Sequence, residues 1–238
     1  MRILAVADVH CPRFLEEFRA SLEAVDPPDL FLMAGDMINR GNVEQFTTVL
    51  KALDETIGTR FPIIACFGNE EYSETRDEIL TLVGERILFL DEKSIVLRLN
   101  GRNIGIVGTQ GSLDTPTSWQ RRNVPRIRRI FERRAERAEI LLRQLSDKSD
   151  VRILLMHYSP CVETCEGERT RSFRWLGSRK FYNVIQSERP ELVIHGHVHN
   201  ASVHEARFGS TVVRNVALPA VGGVTELLLP DESDGEIH

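Results

Sequence analysis

The sequence has few cysteines, no long hydrophobic run and no recognisable export signal. Its four cysteines are too few for a disulfide scaffold in a chain of 238 residues. No apolar run approaches the ~20 residues that a membrane-spanning helix needs. The opening segment, MRILAVADVH, lacks the length and the cleavage site of a signal peptide. We therefore expect a cytoplasmic protein with reduced thiols and no membrane partner.

Lysine is also scarce, with 4 lysines against 26 arginines, and the formal net charge is −5. A net acidic chain is not expected to coat nucleic acid through bulk charge. One segment differs, because eight arginines lie between Arg121 and Arg137. Glu132 and Glu136 interrupt this segment, and it carries an apolar stripe at helical spacing, so we expect a solvated helix face. Nucleic acid remains a possible but less favoured partner.

Apolar residues make up 42% of the chain, which is enough for a packed core and excludes a disordered protein. Short buried strands alternate with helical patterns, which predicts parallel strands joined by helical crossovers. The predicted strands of this kind are Arg2–Ala7, Leu30–Ala34, Pro62–Phe67, Val151–Met156 and Leu192–Ile194. The first predicted helix carries Leu15, Phe18, Leu22 and Val25 at helical spacing. Three more helices are predicted over Val43–Ile57, Pro125–Ser146 and Phe181–Ser187.

Two hairpins complete the pattern. The first joins Ser94–Leu99 to Asn103–Gly108 through an Asn-Gly turn, and the second joins Ala201–Arg207 to Thr211–Val216. A last strand is predicted near Val224–Leu229. Both halves thus begin with parallel strands and end in hairpins, which predicts an α/β fold with two mixed sheets packed face to face and helices outside. We expect one domain over residues 1–230 and an acidic tail over 231–238.

Side chains that can bind a metal follow five of the predicted strands. They are Asp8 and His10, Asp36, Asn69 and Glu70, His157, and the trio His195, His197 and His199. The carboxyl ends of parallel strands form the ligand crevice of an open α/β sheet, so these groups should meet at one edge. Carboxylate oxygen together with imidazole nitrogen suits manganese, iron, cobalt, nickel or zinc better than calcium or magnesium.

Each of these residues has an ordinary alternative role. An Asp after a strand is usually a turn or helix cap, and a single His such as His157 can be a satisfied core residue. The ordered set is far more specific than any of its members. It consists of Asp-x-His, Gly-Asp, Gly-Asn, His and Gly-His-x-His, each at a strand end.

This ordered set resembles the calcineurin-like metallophosphoesterase superfamily, and most closely its small prokaryotic, especially archaeal, single-domain members. The matching segments are ADVH (Ala7–His10), AGDMINRG (Ala34–Gly41), FGNE (Phe67–Glu70), MHYSP (Met156–Pro160) and HGHVHN (His195–Asn200). The resemblance implies a four-layer αββα sandwich. It also implies two divalent metal ions, most expected to be manganese, with iron, nickel, cobalt or zinc as alternatives.

The resemblance also assigns the ligands. Asp8, His10 and His199 would hold the first metal, and Asn69, His157 and His197 the second. Asp36 would bridge the two. A hydroxide bridging the metals would then attack phosphorus, since paired ions can clamp the attacking and leaving oxygens.

One position departs from the family pattern. The usual Gly-Asn-His motif supplies a histidine near the leaving group, whereas Glu70 follows Asn69 here. His195 and His204 are the nearest replacements by sequence, and Glu70 either orients Asn69 or protonates a leaving group. For His195, a role at the strand end or behind the ligands is favoured. We keep Asp36, Asn69, Glu70 and His195 as the candidate catalytic residues.

The sequence leaves open whether the long loop after His157 contacts the substrate. Loops of this length often cover active sites. Two interpretations stay open for its arginines: one of them contacts a bound anion, or none does. Trp175 is either the apolar anchor of such a lid or part of the core. The arginines are Arg169, Arg171, Arg174 and, just beyond, Arg179.

The expected activity is hydrolysis of a small phosphate ester, with diesters favoured over monoesters. A nuclease is one alternative, although the chain has no room for a separate DNA-binding module. A catalytically inactive scaffold that binds a partner protein is the other, and all seven ligand positions argue against it because competent residues fill them. A homo-oligomer is also possible, since a hairpin edge could pair with a second copy.

Overall fold

The computed structural model describes residues 1–58 and 60–229. The predicted acidic tail, 231–238, lies outside these residues. The strands are β1 (Arg2–Val6), β2 (Leu30–Met33), β3 (Ile63–Ala65), β4 (Leu88–Phe89), β5 (Lys93–Leu99), β6 (Arg102–Thr109), β7 (Val151–Met156), β8 (Leu192–His195), β9 (Glu205–Phe208), β10 (Thr211–Asn215) and β11 (Thr225–Leu228). The helices are α1 (Leu15–Glu23), α2 (Gln45–Thr56), α3 (Arg76–Val83), α4 (Ser118–Asn123), α5 (Ile127–Leu145), α6 (Arg179–Glu188) and α7 (Leu218–Val221).

The strands form two mixed sheets. The first has the order β11-β1-β2-β3-β4, and only β11 runs antiparallel to its neighbour. The second has the order β5-β6-β7-β8-β10-β9, with antiparallel pairs at its two edges. Strands β1, β2, β3, β7 and β8 are almost wholly buried, which explains why they read as continuous apolar runs rather than alternating ones.

Alternation along each strand produces four layers. In β1, Ile3 and Ala5 contact the apolar cluster shared by the two sheets, whereas Leu4 and Val6 pack with α1 and α2 on the outer face. In the second sheet, Leu154 of β7 likewise packs outward against α5 and α6. The predicted αββα sandwich is confirmed.

The sequence pattern left open which sheet each hairpin joins. The hairpin β5–β6 belongs to the second sheet, although it precedes β7 in sequence, and the last strand, β11, returns to pair with β1 in the first. Local patterns predict a hairpin but carry no information about which sheet receives it. The strand predicted from Ala201 begins at Glu205, because the residues after β8 form a loop. The short elements β4, α3, α4 and α7 were not predicted.

The carboxyl ends of β1, β2, β3, β7 and β8 carry the loops in which the predicted ligands lie. Among the described residues, no helix combines the length and apolarity needed to cross a bilayer.

Candidate metal centre

Six of the seven predicted ligands fall into two groups. Asp8, His10 and His199 form the first group. Asp36, His157 and His197 form the second. In each group one donor atom per residue lies within 4.8 Å of the others, so each could hold a metal ion. Each group draws residues from both sheets.

The first group is built around the carboxylate of Asp8, which is fully buried. Its Oδ1 lies 3.0 Å from Nε2 of His199 and 3.6 Å from Nε2 of His10. Its Oδ2 accepts a hydrogen bond of 2.8 Å from the backbone N–H of His197. One carboxylate oxygen thus faces the histidines, while the other fixes the loop that carries His197.

The second group is built around Asp36. Its Oδ1 accepts a 2.7 Å hydrogen bond from the backbone N–H of Glu70, and its Oδ2 lies 3.3 Å from Nε2 of His157. The same Oδ2 lies 3.9 Å from Nε2 of His10 in the first group. Asp36 therefore turns one oxygen toward both groups.

Asn69 joins the second group through its side-chain oxygen, which lies 3.2 Å from Nε2 of His157. The other ring nitrogen of His157, Nδ1, lies 2.9 Å from the carbonyl oxygen of Ala34, which can only accept, so Nδ1 carries a proton. This contact leaves Nε2 as the atom that faces Asp36 and Asn69. Ligating histidines are oriented in this way by the bond made at the other nitrogen.

The ligand loops hold strained backbone. Asp8, His10, Asp36 and His197 all have positive φ values, between 43° and 68°. This region is disfavoured for residues with a side chain, and it persists only where the surrounding structure enforces it. Two glycines pack closely against these residues: a Cβ atom on Gly68 would overlap Oδ1 of Asp36, and one on Gly196 would overlap Oδ2 of Asp8.

Histidines offset the charge of the two buried carboxylates in the centre. Burial opposes ionisation of Asp8 and Asp36, but nearby histidines outweigh it and lower the pKa of both carboxyls. Burial also disfavours the charged form of His157, yet the attraction of Asp36 raises its pKa to about 10. Burial lowers the pKa of His197 to about 4. Two buried carboxylates with only imidazole and amide partners are a donor set that fits two divalent cations.

Glu71, which sequence reasoning missed, holds two of the ligand loops together. Its buried carboxylate accepts hydrogen bonds from the backbone N–H groups of Asp36 (2.8 Å), Met37 (2.8 Å), Ile38 (3.4 Å) and Gly68 (2.7 Å). Burial and the nearby charge of Asp36 raise the pKa of Glu71 to about 7, although the amides favour its charged form. No sequence pattern marks Glu71, because its partners are backbone N–H groups.

The candidate proton donors lie in different surroundings. Glu70 accepts a 2.7 Å hydrogen bond from the backbone N–H of Arg40, and it also lines the cavity beside the centre. His195 is fully buried; its Nε2 lies 2.8 Å from the Thr164 hydroxyl and its Nδ1 2.8 Å from a backbone carbonyl. Both of its ring nitrogens are thus engaged within the protein. His204 contacts the carbonyl oxygen of Ala201.

A cavity of about 770 Å³ opens beside the second group, with Asn69 and His197 in its wall. Trp175 lines it, and the carbonyl oxygen of Trp175 lies 3.2 Å from Nε2 of His197. Of the four loop arginines, Arg174 and Arg179 line a different cavity, and none lines this one. The arginines that do line it are Arg76 and Arg134, and Arg134 belongs to the segment predicted as a solvated helix face.

The sequence model of calcineurin-like phosphoesterases matches residues 1–201. The chain belongs to the calcineurin-like phosphoesterase family. That assignment agrees with the two ligand groups and with the fold. No protein of curated function matches the sequence significantly.

Solved structures share the fold at low sequence identity. Phosphopantetheinyl hydrolase from Mycobacterium tuberculosis is 16% identical, with a TM-score of 0.71 over 97% of this chain and 96% of its own. TT1561 of Thermus thermophilus is 17% identical, with a TM-score of 0.53 over 90% and 88%. Purple acid phosphatase PPD1 from yellow lupin is 13% identical, with a TM-score of 0.55 over 98% of this chain and 46% of its own. Such likeness establishes the fold alone.

Proposed function

We propose that this member of the family hydrolyses phosphodiesters in preference to phosphomonoesters, with two divalent metal ions as cofactors. The observation that carries the proposal is Oδ2 of Asp36, which faces His157 of one ligand group and His10 of the other. A carboxylate in that position suits a bridge between two metals. Manganese is the expected ion, with iron, nickel, cobalt or zinc as alternatives.

The protein's own residues would divide the work as follows. Asp8, His10 and His199 hold the first ion, and Asn69, His157 and His197 the second. Asn69 contributes a neutral oxygen, which leaves more positive charge for the phosphoryl group. When bound, two such ions lower the pKa of water and neutralise developing charge on the phosphoryl oxygens.

The preference for a diester with a good leaving group rests on the missing proton donor. General acid catalysis typically contributes 10²–10⁴-fold, and Glu70 stands where the family motif has histidine. His195 cannot readily replace it, because both its nitrogens are engaged inside the protein. We assign His195 to positioning the loop around Thr164. Of these two candidate proton donors, Glu70 is the one that lines the cavity.

Two further points belong to this proposal. A cytoplasmic location is favoured by four cysteines that are all buried free thiols. The inactive scaffold is the competing function, and the convergence of all the ligand residues on two groups speaks against it.

The test is metal analysis combined with an assay on two substrates. Manganese-loaded protein should contain two ions per chain and should hydrolyse bis(p-nitrophenyl) phosphate faster than p-nitrophenyl phosphate, a monoester with the same leaving group. Asp36→Asn removes the proposed bridging carboxylate and should abolish most hydrolysis. Asp29→Asn is the matched control, because Asp29 lies outside the centre and accepts a hydrogen bond from the backbone N–H of Arg2. Equal rates on the two substrates would overturn the diester preference, and two bound ions without any hydrolysis would favour the scaffold.

A further inference from the structure

The cavity beside the second ligand group has the size of a ligand site. Its volume of about 770 Å³ lies within the range of roughly 300–1,000 Å³ that small-molecule sites occupy. It is continuous with the centre, because Asn69 and His197 line it. The ring of Tyr158, also in its wall, lies 4.8 Å from that of His197, centroid to centroid. A phosphoester held at the centre would therefore direct one of its arms into this space.

One wall of the cavity is apolar and comes from the segment that contains α4 and α5. Leu113, Ile127 and Phe131 form a small apolar cluster with Tyr158, against which Val124 and Ile130 pack. This cluster is separate from the clusters that join the sheets and helices of the sandwich. The chain thus keeps an apolar surface next to the centre that the sandwich core does not use.

The two arginines that line the cavity, Arg76 and Arg134, are already paired. Arg76 lies 3.0 Å from Asp91, and Arg134 lies 3.8 Å from Glu92. Both guanidinium groups also donate to the side-chain oxygen of Gln110, at 3.1 Å and 2.8 Å. Because each guanidinium already has an acidic neighbour and donates to Gln110, less of its hydrogen-bonding capacity is available to a second phosphate.

The remaining charged groups argue in the same direction. Glu70 and Glu74 also line the cavity, and carboxylates repel an anionic arm. A polynucleotide or a substrate with a second phosphate would bring negative charge against them. Trp119, which is 62% exposed, and Trp175 add large aromatic surface to the cavity.

We propose that this cavity binds an uncharged, apolar arm of the phosphodiester substrate and that the α4–α5 segment sets the enzyme's specificity. The phosphoester part of this inference rests on the proposed function. The apolar character of the arm rests on the paired arginines, the acidic side chains and the apolar wall of the cavity. The substrate class is then a phosphodiester that carries a bulky alkyl or aryl group.

The test uses alkylphosphonates, which cannot be hydrolysed at the P–C bond and carry one arm only. Both tryptophans of the chain line the cavity, so tryptophan fluorescence of the manganese-loaded protein reports occupancy. We expect the dissociation constant to fall on the order of 50-fold from methyl- to butylphosphonate when all three added methylenes are buried, and further for octylphosphonate.

Two substitutions on the same helix make a matched pair. Ile130 lines the cavity, whereas Ile140 is 45% exposed and lies away from it. In Ile130→Asn, the gain in affinity from methyl- to butylphosphonate should be at least tenfold smaller than in the native protein. The dissociation constant for methylphosphonate should stay within twofold of the native value. Ile140→Asn should behave like the native protein in both measurements.

The outcomes separate this inference from the proposed function. Equal affinity for methyl- and octylphosphonate, or equal behaviour of the two variants, would overturn the apolar arm. Tighter binding of thymidine 5′-monophosphate than of octylphosphonate would also overturn it, in favour of a nucleoside arm. A protein that binds octylphosphonate selectively but hydrolyses no phosphodiester would retain the cavity assignment and overturn the function.

Discussion

Replacing Glu71 by glutamine tests whether one buried carboxylate holds the ligand loops in place. Its two oxygens accept four backbone N–H groups, from Asp36, Met37, Ile38 and Gly68. A glutamine has one oxygen and one NH₂ group. The oxygen can keep the pair at 2.7 and 2.8 Å, but the NH₂ group then points at the donors 2.8 and 3.4 Å away.

The cost follows from these bonds. A hydrogen bond to a charged group contributes about 1.5–3 kcal/mol, and a buried donor left unsatisfied costs about 1–3 kcal/mol. Glu71→Gln loses one short bond and one long bond, and it weakens the other two by removing the charge. We expect the free energy of unfolding of the metal-free protein to fall by about 1–3 kcal/mol at pH 8, because the lost hydrogen bonds outweigh the relief of the buried charge whose burial raises the pKa of Glu71.

Denaturant unfolding of the metal-free protein measures this loss, and a titration with manganese measures the affinity of the centre. Glu70→Gln is the control, because Glu70 is only partly buried and accepts a single backbone hydrogen bond. It should cost less than about 1 kcal/mol. The reasoning is refuted when the two variants lose the same stability, or when Glu71→Gln binds manganese as tightly as the native protein.

Three other outcomes follow from the centre. Asp36→Asn should abolish most hydrolysis and weaken both metals, whereas His199→Ala should mainly empty the first group; metal content per chain distinguishes them, and two full sites at native rate in Asp36→Asn would contradict the bridge. Because His157 has a pKa of about 10 against an ordinary 6.5, it stabilises metal-free protein below pH 6.5, and that stabilisation is lost as pH rises toward 10. Manganese affinity should rise over the same interval, since the ring must lose its proton to bind; unfolding and binding at pH 6.5 and 9.5 check both. Gly68→Ala should displace Asp36 and lower manganese affinity at least tenfold. Gly58→Ala is the control: it strains a left-handed residue with a φ of 80°, but a Cβ there would meet nothing within 4 Å, so manganese affinity should not change.

Much of the fold was accessible from sequence because its signals are local. The strand Val151–Met156 was predicted with both ends as observed, since a short apolar run is bounded by a charged segment and by His157. The strand-end rule also explains why ligand types far apart in sequence could be expected at one edge. Asp8 and His199 are separated by most of the chain, yet they lie 3.0 Å apart.

The parts that were missed depend on non-local packing. The apolar stripe of α5 predicted a helix face but could not show that Ile127, Ile130 and Phe131 line a cavity while Leu142 joins the core, because both uses have the same period. Arg134 reads as one of eight similar arginines until the fold places it beside Gln110. Glu71 has no sequence signature, since what it binds is backbone.

Each ligand group takes residues from both sheets, and this affects how the chain folds. Asp8 and Asp36 follow strands of one sheet, whereas His157, His197 and His199 follow strands of the other. Neither pocket for a cation exists until contacts of very high sequence separation have closed, so metal ions cannot guide the early steps of folding. Metal ions can bind only the assembled sandwich, and a chain divided between β6 and β7 would carry part of each ligand group on either fragment.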